Sequence, residues 1–167
     1  MACKERLVLQ RQNVCGAQRR HPRSVSCRKI LIAYQHGESG KLNKEGYVSV
    51  AEQLVERFGV RKVAITLRTS LSAFDNLWAG MLYDAEARKA CFSTEYKVHI
   101  VDRVGGGDSF GGGLIYALIS GKGTQEAIDF AAAASCLKHS IEHDFNLVTV
   151  QEVEALAAGN GTGRVQR

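Results

Sequence analysis

The sequence predicts an α/β fold built in layers, and two observations support this prediction. Between residues 28 and 102, short apolar segments rich in β-branched residues alternate with one amphipathic helical segment. From residue 108 onward, Gly-rich and Ala-rich helical segments follow one another. Helices packed on the faces of a sheet give this alternation. The 167 residues suffice for one domain with a substantial core.

The elements of the sheet layer are predicted from local patterns. Apolar residues at helical spacing run from 43 to 59, where Gly59 is a suitable C-cap. Residues 28–34 fit either a short strand or a fragment of a helix. Four further apolar segments are predicted as strands: 61–67, 76–84, 89–93 and 97–102.

Three more helices are predicted in the second half of the chain. The first runs from Asp108 to about Ile119. The second covers residues 125–140, with Thr124 as its N-cap. Thr149 and Glu152 have the spacing of a capping box for the third.

The positive charge is concentrated at the N-terminus. Residues 1–29 hold eight Lys or Arg and one acidic residue, a net charge of +7, whereas the remainder carries −2. We expect residues 1–36 to form a poorly ordered basic leader and residues 37–167 to form the folded domain. Nucleic-acid binding through the leader is the weaker alternative. We expect no nucleic acid as a partner and, since no apolar run approaches about 18 residues, no membrane.

Several reactive side chains have a structural interpretation. The five cysteines form no CxxC pair and are odd in number, which favours free thiols in a reducing compartment, the cytoplasm. We expect Cys136 and Trp78 in the core. His139 and His143 are four residues apart but lack an H-E-x-x-H frame, so we expect no protein metal site.

The motif "GGGDSFGGG", residues 105–113, is the strongest functional signal. Glycines between a strand and a helix allow a sharp turn and a close approach to a ligand. The first amides of the helix then favour an anion such as a phosphate. Asp108 beside such a site suits a general base, although a helix-capping role for this acid fits equally well. We expect Gly111, Gly112 and Gly113 to allow close helix packing.

The segment "VDRVGGGDSFGGGLIYAL" resembles the second signature of the ribokinase-like, or PfkB-type, carbohydrate kinases. Flanking segments, among them "EGYVSVAEQLVERFGVRKVAITLR" and "AIDFAAAASCLKHSI", resemble the C-terminal half of 2-keto-3-deoxygluconate kinases. The resemblance covers about residues 37–167. It implies the C-terminal part of a three-layer α/β/α fold with an incomplete central sheet. It also implies ATP-dependent phosphorylation of a primary hydroxyl on a sugar or sugar acid.

The resemblance also implies roles for individual residues. Asp108 corresponds to the catalytic base, which contacts the sugar hydroxyl, and the amides of Gly105, Gly106 and Gly107 correspond to the anion hole. Magnesium is expected to arrive mainly with ATP. Asp102 is expected either to help form a monovalent cation site or to make a structural hydrogen bond to the glycine turn. The candidates for nucleotide binding are Thr66, Arg68, Phe130, Ala134 and Asn146.

The region before residue 37 does not resemble the N-terminal portion of these kinases, which carries most sugar-binding residues. Two interpretations follow. The chain either takes part in sugar phosphorylation, or it is a catalytically incompetent nucleotide-binding remnant or interaction fragment. An exposed sheet edge would favour self-association or a partner chain that supplies the missing half.

Overall fold

The computed structural model describes residues 6–14, 28–36 and 44–159. In these ranges, six strands and one helix come first, and three successive helices follow. They are β1 Arg6–Val14, β2 Arg28–His36, α1 Lys44–Phe58, β3 Lys62–Ser70, β4 Asp75–Asp84, β5 Lys89–Phe92, β6 Tyr96–His99, α2 Gly106–Ile119, α3 Thr124–Lys138 and α4 Val150–Ala157.

The six strands form one mixed sheet in the order β1-β2-β3-β4-β5, and β6 also pairs with β4. β2 and β3 are parallel, whereas the other pairs are antiparallel. β5 and β6 pair with different halves of β4, Met81–Asp84 and Asp75–Trp78. The carboxyl end of β6 leads directly toward the glycine-rich turn before α2.

The sheet separates two apolar clusters, and β3 contributes to both. Val63 and Ile65 pack in the cluster that includes the apolar side chains of α1. Ala64 belongs to the cluster formed with α2, α3 and α4. Alternating side chains of a strand point to opposite faces. The predicted three-layer α/β/α arrangement is therefore confirmed, with α1 on one face and the other helices on the second.

Small residues allow α2 and α3 to pack closely against each other and against the sheet. A Cβ on Gly113 of α2 would lie 3.1 Å from Ala134 Cβ and 3.4 Å from Ala131 Cα of α3. A Cβ on Gly80 of β4 would lie 2.8 Å from both Ile128 Cδ1 and Phe110 Cε2. These glycines are required by close packing.

Two predictions at helix positions are wrong. The N-cap of α3 is Gly123, not Thr124, and the Gly123 N–H donates to Glu126 Oε2 at 2.9 Å. Thr124 is the first residue of the helix. Among the residues that the structure describes, a Cβ on Gly112 would meet no atom of a neighbouring element within 4 Å, so packing against these elements does not require this glycine. The capping box of Thr149 and Glu152 is confirmed.

The segment expected to be a leader contains two of the strands. β1 and β2 are antiparallel, and β2 continues into the sheet through its parallel pairing with β3. Ile30, Leu31, Ile32 and Ala33 are buried. The expected division of the chain at residues 36 and 37 stays a prediction. Across the described ranges, every helix is too short or too polar to cross a bilayer.

His139, the C-cap of α3, contacts Trp78, which belongs to a third, smaller apolar cluster. Its ring packs edge-on against the Trp78 indole at 4.7 Å between centroids, and Trp78 is buried as predicted. Burial lowers the pKa of His139, although its hydrogen bond to the Ser135 carbonyl opposes this effect. The charges of Lys138 and the nearby arginines lower the pKa further.

The packing of Gly80 can be tested against Gly112. We expect Gly80→Ala to lower the free energy of unfolding by about 1–3 kcal/mol, because its methyl group overpacks a filled core. Gly112→Ala should raise it by about 0.5–1 kcal/mol, because the helix there has open space and alanine favours helix. Urea unfolding measures both values, and equal effects would contradict this packing.

The burial of His139 predicts a pH dependence of stability. Below pH 6.5, the ordinary pKa of this side chain, the unfolded chain takes up a proton that the folded chain does not. The free energy of unfolding should therefore fall as the pH drops from 6.5 toward the folded-state pKa. Urea unfolding at a series of pH values measures this loss.

His139→Gln should reduce that loss, because it removes the titrating ring. The control is His99→Gln, since the His99 side chain is 69% exposed on β6. This control should keep the loss found for the unsubstituted chain. An unchanged loss in His139→Gln would show that other groups cause it.

Candidate active site

A cavity of about 560 Å³ opens beside the N-terminal half of α2. Its walls come from α2, α3, the segment that joins α3 to α4, and α4. The lining residues are Gly105, Asp108, Ser109, Gly112, Gly113, Tyr116, Phe130, Ala134, Asp144, Phe145, Asn146, Val148, Thr149, Val150 and Val153. This volume lies within the range of small-molecule sites, about 300–1,000 Å³.

Gly105 is the N-cap of α2 and has a left-handed backbone, with φ 75° and ψ −4°. This conformation favours glycine, and a Cβ here would also lie 2.8 Å from the Asp144 carbonyl oxygen. The turn starts α2 at Gly106 and aims the positive end of the helix dipole at the mouth of the cavity. Sequence and structure agree on a tight glycine turn here.

Asp108 lies in the first turn of α2, where it is exposed and lines the cavity. Gly106 is buried on the opposite side of the same turn. Residues two positions apart in a helix point in nearly opposite directions, since each residue turns by about 100°. The carboxylate therefore faces the cavity while the glycine faces the protein interior.

The buried side of this turn is held by α3. Ser135 Oγ donates a hydrogen bond to the Gly106 carbonyl oxygen at 2.7 Å, and Ser135 is completely buried. His139 Nδ1 donates to the Ser135 carbonyl oxygen at 2.7 Å. A Cβ on Gly106 would lie 2.7 Å from His139 Nε2.

A second set of contacts holds the segment before the turn. Asp102 accepts hydrogen bonds from the backbone N–H groups of Val104 and His143, each at 2.9 Å. These bonds lower the pKa of the Asp102 carboxyl group. Lys138 is fully buried, and its Nζ donates to the carbonyl oxygens of Ile141 at 3.1 Å and His143 at 2.6 Å. Hydrogen bonds thus join the segment before α2 to the segment after α3.

Thr66 and Arg68 lie on β3 and do not line the cavity. Thr66 is buried. Arg68 pairs with Trp78 across the sheet, and burial together with the positive charge of Arg103 lowers its pKa. Arg103 Nη2 donates to the Ala73 carbonyl oxygen at 2.7 Å and so ties the β3–β4 turn to the segment before α2.

The remaining nucleotide candidates do line the cavity. Phe130 packs against Tyr116 with 5.3 Å between ring centroids, and Lys122 Nζ lies 5.7 Å from the Phe130 ring centroid. Ala134 lies one turn further along α3. Asn146 faces them from the α3–α4 segment, where its Oδ1 accepts the Val148 N–H at 3.2 Å. Together they give one apolar wall and one polar rim.

The structure therefore brings together five candidates around the cavity: Gly105, Asp108, Phe130, Ala134 and Asn146. Gly106, Gly107, Thr66 and Arg68 lie outside its lining. The roles of all nine candidates stay predictions. Sequence reasoning missed three residues of α3 and the turn before α2, namely Ser135, Lys138 and Arg103. The i, i+3 spacing of Ser135 and Lys138 on an otherwise Ala-rich helix is the signal that could have identified these two residues.

The histidines considered for metal binding are His139 and His143. Within residues 6–14, 28–36 and 44–159, no group of three or more His, Cys, Asp or Glu side chains is arranged to hold a metal ion.

Cys136 is partly buried rather than fully buried, and burial raises the pKa of its thiol to about 11. It is a packing residue next to Trp78.

Comparison with known proteins gives solved structures of similar fold. The 2-dehydro-3-deoxygluconokinase of Thermotoga maritima has a TM-score of 0.68 and 45% identity, over 73% of this chain and 36% of that chain. A PfkB family carbohydrate kinase from Listeria grayi has a TM-score of 0.61 and 30% identity, over 72% of this chain and 36% of that chain. The predicted ribokinase-like fold, with only part of its sheet, is confirmed.

Sequence relatives agree with the structural ones. The 2-dehydro-3-deoxygalactonokinase of Haloferax volcanii is 34% identical over 68 residues, which are 41% of this chain and 21% of that protein. The 5-dehydro-2-deoxygluconokinase of Halalkalibacterium halodurans is 38% identical over 64 residues, 19% of that protein. The chain matches about a third or less of each relative. Residues 41–142, more than half of the chain, match the pfkB family carbohydrate kinases, and the chain belongs to this family.

Proposed function

We propose that this chain carries the phosphoryl-transfer part of an ATP-dependent kinase that acts on a primary hydroxyl of a sugar acid. The position of Asp108 gives the main support for this proposal. Asp108 is exposed at the cavity, in the first turn of α2, which begins directly after the left-handed Gly105. The names of three relatives describe kinases of dehydro-deoxy sugars or sugar acids. A compound such as 2-keto-3-deoxygluconate is therefore the proposed substrate.

Asp108 is the proposed general base. Its carboxylate takes the proton of the sugar hydroxyl as the hydroxyl oxygen forms a bond to the γ-phosphorus of ATP. The bond between that phosphorus and the β–γ bridging oxygen breaks, ADP leaves, and the proton on Asp108 later passes to water. A positioned carboxylate of this kind contributes about 10²–10⁴-fold to a rate. The exposure of Asp108 gives a hydroxyl group access to it.

The amides of Gly105, Gly106 and Gly107 form the proposed anion hole. Backbone N–H groups and the dipole at a helix N-terminus stabilise the charge that develops on the transferring phosphoryl group. The buried ammonium of Lys138 supports this proposal, since its Cε lies 3.1 Å from the position of a Cβ on Gly105. A fixed positive charge behind the turn reduces the repulsion between a phosphate and Asp108.

The cavity is the proposed nucleotide site. Phe130 and Ala134 give an apolar wall for a flat base, and Asn146 offers an amide at its rim. Thr66 and Arg68 are proposed to lie toward the phosphates from β3. ATP brings magnesium, which neutralises phosphate charge when it is bound. We propose that phosphates and water would hold most of its coordination sites, because magnesium keeps several waters and binds substrate phosphates.

The sugar and a monovalent cation are the two remaining proposed ligands. Both carboxylate oxygens of Asp102 already accept backbone N–H groups, which favours the structural hydrogen bond over a cation site. Because the chain covers 36% of the two solved structures described above, we propose that sugar-binding residues come from further sequence or from a partner chain. Self-association through the sheet edge is the related proposal.

Asp108→Asn tests the general base. We expect the rate of ADP release with ATP and 2-keto-3-deoxygluconate, measured together with the further sequence or partner chain that supplies the sugar-binding residues, to fall by about 10²–10⁴-fold, because asparagine cannot take the hydroxyl proton. The ADP is measured in a coupled assay. Asp129→Asn is the control, since Asp129 lies on α3 outside the cavity, and its rate should match that of the unsubstituted chain.

Two outcomes contradict the proposal. An unchanged rate in Asp108→Asn would remove the role of this carboxylate. Binding of ATP without any ADP release, once the sugar-binding residues are supplied, would instead favour a nucleotide-binding remnant.

Gly112→Leu tests the nucleotide site. Position 112 lines the cavity and has open space, so a leucine fits the fold but fills volume that the nucleotide needs. We expect the Kd for ATP, measured by calorimetry, to rise at least about tenfold, or roughly 1.4 kcal/mol. Gly112→Ala should bind ATP more tightly than Gly112→Leu. Equal ATP affinity in both variants and the unsubstituted chain would place the nucleotide elsewhere.

A further inference from the structure

We propose that Ser135 and His139 are positioning residues that fix Gly106, and through it the direction of the leading amides of α2. The catalytic consequence rests on the function proposed above, whereas the positioning itself rests on contacts within the chain. The proposal assigns a role to two α3 residues that lie outside the cavity lining.

The first contact fixes a peptide plane. Ser135 Oγ donates to the Gly106 carbonyl oxygen at 2.7 Å inside the protein. This carbonyl and the Gly107 N–H belong to the same planar, trans peptide group, so they point in opposite directions. A bond that holds the carbonyl toward α3 therefore holds the Gly107 N–H away from α3.

The second contact limits the position of Gly106. His139 Nε2 and Cε1 lie 2.7 and 2.8 Å from the site of a Cβ on Gly106, so the ring occupies the space that any other side chain would need. The ring cannot easily give way. Its Nδ1 donates to the Ser135 carbonyl oxygen at 2.7 Å, and the ring packs edge-on against Trp78.

His139 also holds the other end of the same segment. Its backbone carbonyl oxygen accepts the N–H groups of Val101 at 2.9 Å and Asp102 at 3.3 Å. One residue thus fixes where the turn leaves the sheet, through its backbone, and where α2 begins, through its ring. Fixing both ends of a short segment leaves little freedom for the glycines between them.

Core packing alone does not account for these side chains. The four residues before Ser135, at positions 131–134, are alanines, and all are buried. A buried hydroxyl group is favourable only when it is hydrogen-bonded, and Ser135 directs its donor to Gly106. The polar groups at the end of α3 therefore serve the turn rather than the helix interface.

A double-mutant cycle tests the His139 contact. In the unsubstituted background, Gly106→Ala should lower the rate of ADP release about 100-fold, since a displacement of about 1 Å at the reacting groups costs that much. The Kd for ATP should change less than the rate. In the His139→Ala background the same Gly106→Ala substitution should cost far less, because the ring that it meets is gone.

The stability of the same four proteins provides a readout that needs no turnover. Gly106→Ala should lower the unfolding midpoint clearly when His139 is present and little when it is absent. Gly112→Ala is the matched control in both backgrounds, because no atom lies within 4 Å of a Cβ there. Its effect on the midpoint should be the same in each.

Ser135→Ala tests the peptide plane. We expect the Gly107 amide resonance of the ¹⁵N-labelled chain to shift and the rate of ADP release to fall more than the ATP affinity. Ser140→Ala is the control, because the Ser140 hydroxyl is exposed and donates to the Leu137 carbonyl at the same end of α3. It should leave the Gly107 resonance in place.

The outcomes separate this proposal from the proposed function. Equal effects of Gly106→Ala in both backgrounds would overturn the role of His139. An unmoved Gly107 resonance in Ser135→Ala would overturn the role of Ser135. Stability coupling between Gly106 and His139 without any change of rate in an active protein would overturn the catalytic consequence. If no ADP is released even when the sugar-binding residues are supplied, the proposed function fails, whereas the resonances and unfolding midpoints still decide the positioning.

Discussion

The close packing of α2 on α3 is the constraint on which the candidate site depends. Gly113 allows the two helix backbones to approach, since a Cβ there would lie 3.4 Å from Ala131 Cα. This approach brings the end of α3 within hydrogen-bond reach of Gly106, so that Ser135 can bind its carbonyl group. A wider separation of the helices would lose this bond and leave a buried hydroxyl group and carbonyl group without each other, at a cost of about 1–3 kcal/mol for each group.

Positive charge collects behind the glycine turn as a consequence of the same packing. Lys138 is buried against backbone carbonyl groups, and Arg68 lies near Arg103. Burial and mutual repulsion lower the pKa of Arg68, and burial lowers that of His139. Both shifts have burial as their largest cause, so a positive charge is less favourable at these two side chains than in water. A bound anion would relieve this cost, which is the electrostatic condition that a phosphate site requires.

Local patterns were sufficient for most of the fold but not for the supports of the site. The apolar spacing predicted α1 and β3, and the glycine run predicted a tight turn at Gly105, because these depend on neighbouring residues. The cap of α3 was assigned to Thr124 because threonine is a good N-cap, yet Glu126 binds the Gly123 amide. The bond between Ser135 and Gly106 joins residues 29 positions apart. No local pattern specifies such a contact.

The two sides of the first turn of α2 do different work. Asp108 faces an open cavity, where its negative charge would repel the phosphate that the turn is proposed to bind. The turn retains its geometry under this repulsion only if it is supported from the other side, and α3 gives that support at Gly106. The absence of a side chain at position 106 is thus as important as the carboxylate at 108. The glycine admits the histidine ring that contacts the turn, and a turn held in this way would keep the proposed base beside the proposed anion site.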